Sequence, residues 1–170
     1  MELIPMILRG LQLLFVVILT GLIGNVIATN IDAAGSATAA INFTMFVIVL
    51  SWLTTIFGLA TAFVDRIAIP MALLAADGAA SLFTFIAAIV LSAKLGVTNC
   101  GAIDPKEHPD SWIVFGSAND PKRCRQIQAG TVFMWFLFLS SAAALTLTFL
   151  GFRRGGGSVR SGPTMSQVRV

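Results

Sequence analysis

One acid stands inside a long apolar run of this sequence. Asp77 falls about ten residues into a run at 67–93, near its middle. A central aspartate costs about 2.5–3.5 kcal/mol on the insertion scale. No Lys or Arg is read inside an apolar run, and Arg66 is eleven residues away along the same segment. That is about 16 Å on a helix. The expected partners are therefore neutral: Ser81 and Thr84 on its own face, hydroxyls of the preceding run, and Asn25 of the first run. Desolvation without a cation favours the uncharged acid. Asp77 is thus expected to be protonated and to face the interior of a helix bundle. Its role is open between a switch or lipid-headgroup contact, a structural bond between helices, and an ion-coupling site.

The remaining reactive inventory is small. There is one histidine, His108, and there are two cysteines, Cys100 and Cys124. A zinc site takes about four ligands, and no C-x-x-C or H-x-x-x-H spacing occurs. No phosphate-binding glycine loop and no G-x-S-x-G turn is present. A nucleophile and base cannot be assembled from these residues. The expectation is a protein that is not an enzyme and uses no cofactor. The basic residues form no stripe interleaved with aromatics, so nucleic acid is not an expected partner.

The elements that carry Asp77 follow from composition. Of 170 residues, 56% are hydrophobic and 11% charged, against about 25% charged in soluble domains. Most apolar surface must therefore meet lipid. Four runs, at about 8–28, 41–64, 67–93 and 127–152, are each long enough for the roughly 20 residues of a membrane span. They must be helices, because hydrocarbon offers backbone groups no partners. The fold expected is all-α, a bundle of four transmembrane helices. Arg9 is read as the lone cation leading into the first helix. The apolar run behind it, at 11–28, exceeds the roughly 7–15 residues of a signal peptide, so the helix is expected to be retained.

Orientation rests on the cysteines more than on cations. With the N-terminus inside, six cations fall on the cytoplasmic side and five on the outer side, a weak positive-inside signal. Both cysteines lie in the hydrophilic loop at 94–125. Paired, they place that loop in an oxidising compartment, with both termini cytoplasmic. The alternative is two free thiols beside the membrane, one of them acylated. Asn42-Phe43-Thr44 fits a glycosylation acceptor but sits too near the bilayer to be used.

Small residues recur every fourth position in the third run, at Ala68, Ala72, Ala76 and Ala80. The second run has Ser51, Thr54, Thr55, Gly58, Thr61 and Ala62. These faces are expected to meet in a small-residue seam. The tail at 153–170 carries Arg153, Arg154, Arg160 and Arg169 with no acid after Asp120. It should attach to an anionic leaflet, and phosphorylation of Ser158, Ser161, Thr164 or Ser166 would loosen it.

Several of these residues resemble one family. Arg123-Cys124-Arg125-Gln126-Ile127-Gln128-Ala129 is similar to the R-C-R-Q-x-Q-A lead-in to the last helix of fungal non-classical export proteins, MARVEL-domain proteins of the plasma membrane. Gly162-Pro163-Thr164-Met165-Ser166-Gln167-Val168 resembles their P-T-x-S-Q-V ending, which this chain passes by Arg169 and Val170. Pro70, Asp77 and Phe83-Thr84-Phe85 are similar to the pattern of their third helix. The resemblance implies a MARVEL fold, a plasma-membrane location and residence in the furrows beneath which eisosomes assemble. It implies a role in organising those furrows, a response to sphingolipid and a link to unconventional secretion. The expected partners are sphingolipid, anionic phospholipid and sterol, further copies of the chain, and eisosome scaffold proteins. The alternative is a small ion-coupled transporter or channel subunit that uses Asp77.

Overall fold

The computed structural model describes residues 3–63, 70–103 and 108–154. Four helices dominate it: α1 at Leu3–Ala28, α2 at Gly35–Phe63, α3 at Pro70–Leu95 and α4 at Asp120–Arg154. All four are long and apolar enough to cross a membrane. The 26 residues of α1 reach about 39 Å, more than the ~30 Å of hydrocarbon. The chain is an all-α membrane protein built as a four-span bundle.

The helices form a ring in chain order. α1 packs on α2, α2 on α3, α3 on α4 and α4 on α1, while the diagonal pairs do not meet through their backbones. Each helix turns one narrow stripe inward. In α1 the stripe is Arg9, Gln12, Val16, Leu19, Ile23 and Val26, with steps of three and four residues. In α3 it is Asp77, Ala80, Thr84, Ala87 and Leu91. Alternating steps of three and four keep a seam facing its neighbours over the whole length of a bundle. The outside is covered by large apolar side chains such as Val17, Phe46, Leu53, Leu82 and Leu139, as a lipid-facing surface requires.

The helices are longer than the apolar runs. α1 starts at residue 3 rather than 8, α2 at 35 rather than 41 and α4 at 120 rather than 127. The added residues of α1 are apolar, those of α2 are mostly small, and those of α4 are polar and charged. Asn119 caps α4, its Oδ1 accepting from the Lys122 N–H at 3.0 Å, so the helix begins within the Asp120–Arg125 charge cluster. The loop expected at 94–125 shrinks to 96–119. Ala68, Arg66, Arg160, Arg169, Ser158, Ser161, Thr164 and Ser166 lie outside the described residues.

α2 and α3 are neighbours, but their contact differs from the fourth-residue line. Ser51, Thr54, Thr55, Gly58 and Thr61 are buried on α2, and Ala80, Thr84 and Ala88 on α3. Ala76 is half-buried and Ala72 is exposed. A line of fourth residues drifts by about 40° per step, so Ala72 has left the seam that Ala80 occupies. Most inward hydroxyls bond within their own helix. Thr44, Ser51 and Thr84 donate to carbonyls four residues back, at 2.8, 2.8 and 2.7 Å, which satisfies them without a partner helix.

Two tryptophans do link helices. Trp52 Nε1 donates to Thr20 Oγ1 at 3.0 Å, joining α2 to α1. Trp135 Nε1 donates to Ser92 Oγ at 3.2 Å, joining α4 to α3. Each bond puts an indole N–H that lipid could not satisfy onto a hydroxyl. A double-mutant cycle of Trp135→Phe and Ser92→Ala, read by unfolding in mixed micelles, is expected to give a coupling of about 0.6 kcal/mol. Strictly additive losses would show that the bond contributes nothing.

Candidate functional site

The polar groups of the bundle gather at its two ends. At the end that holds the start of α1, Arg9 crosses the ring to α3. Its Nη1 donates to Asp77 Oδ1 at 2.7 Å and its Nη2 to Asp77 Oδ2 at 2.7 Å. Arg9 is 6% exposed and Asp77 2%. Nη1 also donates to Gln12 Oε1 at 3.1 Å. Thr148 Oγ1 of α4 donates to Asp77 Oδ2 at 3.0 Å. The second helix contributes space: a Cβ on Gly58 would overlap the Arg9 guanidinium. All four helices therefore meet at one ion pair, which lies across a diagonal of the ring.

This corrects the expectation for Asp77. Its partner is the guanidinium of Arg9, held through two parallel bonds, and not a neutral hydroxyl or amide of α2 or α1. Ser81 and Thr84 share its side of α3, but Thr84 bonds to the Ala80 and Ser81 carbonyls. Asn25 belongs to the other end of α1, where its Oδ1 accepts from Gln126 Nε2 of α4 at 2.9 Å. Nor is Asp77 central: it lies seven residues into α3, about 10 Å from the end of that helix. The partner was hidden by the position of the α1 start. Arg9 sits six residues inside a helix that begins at Leu3, and the signal for this was the apolar Ile4, Met6, Ile7 and Leu8 ahead of it.

The opposite end is held by covalent and backbone bonds. Cys100 and Cys124 form a disulfide with Cα atoms 5.6 Å apart. It ties the 96–119 loop to the first turns of α4. Trp112 is buried, donates from Nε1 to the Leu95 carbonyl at 3.1 Å and stacks on His108 with centroids 3.8 Å apart. The Gly116 carbonyl accepts from the Ile31 N–H at 2.8 Å, stitching this loop to the α1–α2 turn. Gly116 has φ +104°, and a Cβ there would stand 2.5 Å from Ala33 Cα, so only glycine fits. Arg123, 2% exposed, donates from Nε to the Ile113 carbonyl at 3.1 Å and from Nη1 to Asn30 Oδ1 at 2.9 Å. Sequence reasoning counted Arg123 as a loop cation and as the first residue of the R-C-R-Q-x-Q-A resemblance; neither marks it as buried.

The described part of the tail is helical. Arg153 is exposed and lies 5.9 Å from the centroid of the Phe149 ring, and α4 runs to Arg154. Both belong to the same end of the bundle as Arg9 and Asp77, away from the disulfide.

Removing one member of a buried pair strands the other, at about 3–5 kcal/mol. Arg9→Met and Asp77→Leu are each expected to lose that much stability in detergent unfolding. The double variant should recover most of it, because no charge is left unpaired. Single variants as stable as the unaltered chain would show that the pair does not hold the bundle.

The comparisons with known proteins agree with this architecture. The MARVEL family, described as a membrane-associating domain, matches residues 2–147. Non-classical export protein 2 of Saccharomyces cerevisiae is 30% identical over 176 aligned positions, covering 95% of this chain and 96% of the relative. Non-classical export protein 2 homolog 1 of the same yeast is 28% identical over 150, covering 88% and 81%. No solved structure gives a significant match. With most of its length matched and its four spans closed into one bundle, the chain belongs to the MARVEL family of membrane-associating domains.

Proposed function

We propose that this protein is a non-enzymatic organiser of plasma-membrane domains, acting through the outer surface of its bundle on lipids, on further copies of itself and on scaffold proteins. The observation that carries the reading is the closure of the interior. The buried charges Arg9 and Asp77 neutralise each other, and the inward hydroxyls bond to their own helices. What the bundle offers to other molecules is its apolar flank and its two polar ends. Ion-coupled transport through Asp77 would need a carboxylate free to exchange an ion, and both its oxygens are engaged by Arg9, with Thr148 on the second.

The resemblance to fungal export proteins supports residence in the furrows above eisosomes, with sphingolipid and sterol as lipid partners and a link to unconventional secretion. In this reading the disulfide end faces outward, since a disulfide lasts in an oxidising compartment. Both termini are then cytoplasmic. The arginines from Arg153 onward lie against the anionic inner leaflet, each contributing about 1 kcal/mol.

A fluorescent fusion of the full chain in fungal cells is expected to form stable plasma-membrane patches that coincide with the eisosome scaffold and disperse when sphingolipid synthesis is blocked. A uniform signal indifferent to that block would overturn the organiser role. For orientation, an impermeant maleimide should label Cys100 and Cys124 on intact cells only after reduction. Labelling that also requires permeabilised cells would invert the topology.

A further inference from the structure

Arg123 is a buried cation whose nearest acid, Asp120, attracts it through space but makes no ion pair with it. Among the described residues no carboxylate forms an ion pair with it, and the acid one turn earlier, Asp120, accepts through Oδ1 from Ser117 N–H and Oγ at 3.3 Å. The Arg123 Nε and Nη1 are used, and Nη2 has no hydrogen-bond partner among the described residues. Burying a guanidinium is expensive, and Asp120 at its distance offsets only part of that cost. Opposite charge supplied by a ligand would relieve it.

The side chain lines a cleft of about 80 Å³ at the disulfide end, with Ile27, Asn30, Thr38, Ile41 and Asn42. That is room for several water molecules, or for one group of phosphate size. Asn30, Ile27 and Asn42 are exposed, so the cleft opens outward. Asn42 is a second, independent oddity. It is exposed seven residues into the spanning helix α2, and its amide has no hydrogen-bond partner among the described residues. Seven residues is about 10 Å along the helix, the depth at which headgroups give way to acyl chains. Below it the α1–α2 flank is apolar.

We propose that this cleft binds the phosphate of a lipid headgroup, with Arg123 Nη2 and the Asn42 amide donating to its oxygens and an acyl chain lying along the exposed Ile27. Lys122 and Arg125, exposed on the same turns of α4, line a separate groove with Leu22 and Gln126 and add only to the general positive potential of this end. A free phosphate would meet the same donors but would leave the apolar wall uncovered. The inference needs only a bundle that spans a bilayer, and it stands whichever way the chain faces and whether or not it organises domains.

The test is native mass spectrometry of the full chain in micelles with three probes: palmitoyl-oleoyl phosphatidylglycerol, the matching diacylglycerol and inorganic phosphate. The phospholipid should be retained about tenfold better than the diacylglycerol, the factor one charge-assisted hydrogen bond supplies. Asn42→Leu and Thr38→Val, both at the cleft rim and away from the ion pair and the disulfide, should each reduce retention of the phospholipid while unfolding stays unchanged. Equal retention of phospholipid and diacylglycerol would overturn the site, as would unaltered retention in both variants. Retention of inorganic phosphate as strong as that of the phospholipid would overturn the lipid assignment in favour of a soluble anion.

Discussion

A charge below the surface of a bilayer has no water to turn to, so its partner must come from the protein. In this bundle that rule fixes the positions of all four helices with one contact. Arg9 and Asp77 lie on helices whose backbones do not meet, and the reach of an arginine spans the gap. Thr148 closes the carboxylate from α4, and Gly58 of α2 leaves the guanidinium its place. A shift of any helix by one turn, about 5.4 Å, would break the fork. Hydrophobic packing alone discriminates weakly between registers in lipid, where side chains are as well solvated outside the bundle as in it. The ion pair supplies the discrimination at this end.

The other end is locked by different means. A disulfide, a stacked indole and a backbone bridge between two loops hold the helix ends together. These devices suit a surface that meets water, where an ion pair would be weakened by solvent and salt. Between the ends lies a run of small and branched apolar residues and self-satisfied hydroxyls. Among the described residues, only the two tryptophan bonds cross between helices there. The middle is thus held by packing, and each end has its own specific lock.

The four spans and the cysteine pair were legible because each depends on local sequence. Continuous apolar runs announce helices in lipid, and two cysteines in one hydrophilic loop have few other uses. The ion pair was not legible, because its members are 68 residues apart and the cation sits where a helix edge had to be guessed. The reading of Asp77 as an interior residue followed from cost, and its burial at 2% exposure agrees. The expectation of neutral partners failed with the missing cation. Ala72 failed for a geometric reason: periodicity marks a face over two or three turns, and the seam follows a slightly different period. Arg123 could not be singled out among five cations of one hydrophilic segment, since burial of a polar side chain is decided by loops folded far from it.

The diagonal pair also bears on how the protein is made. The ribosome releases Arg9 first and Asp77 68 residues later, which at ~5–20 residues per second is several seconds. Through that interval the first helix waits with an uncompensated positive charge, held near the aqueous edge or within the insertion machinery. The arrival of the third helix ends the wait. The contact that buries Arg9 against Asp77 can therefore form only once α3 has been made.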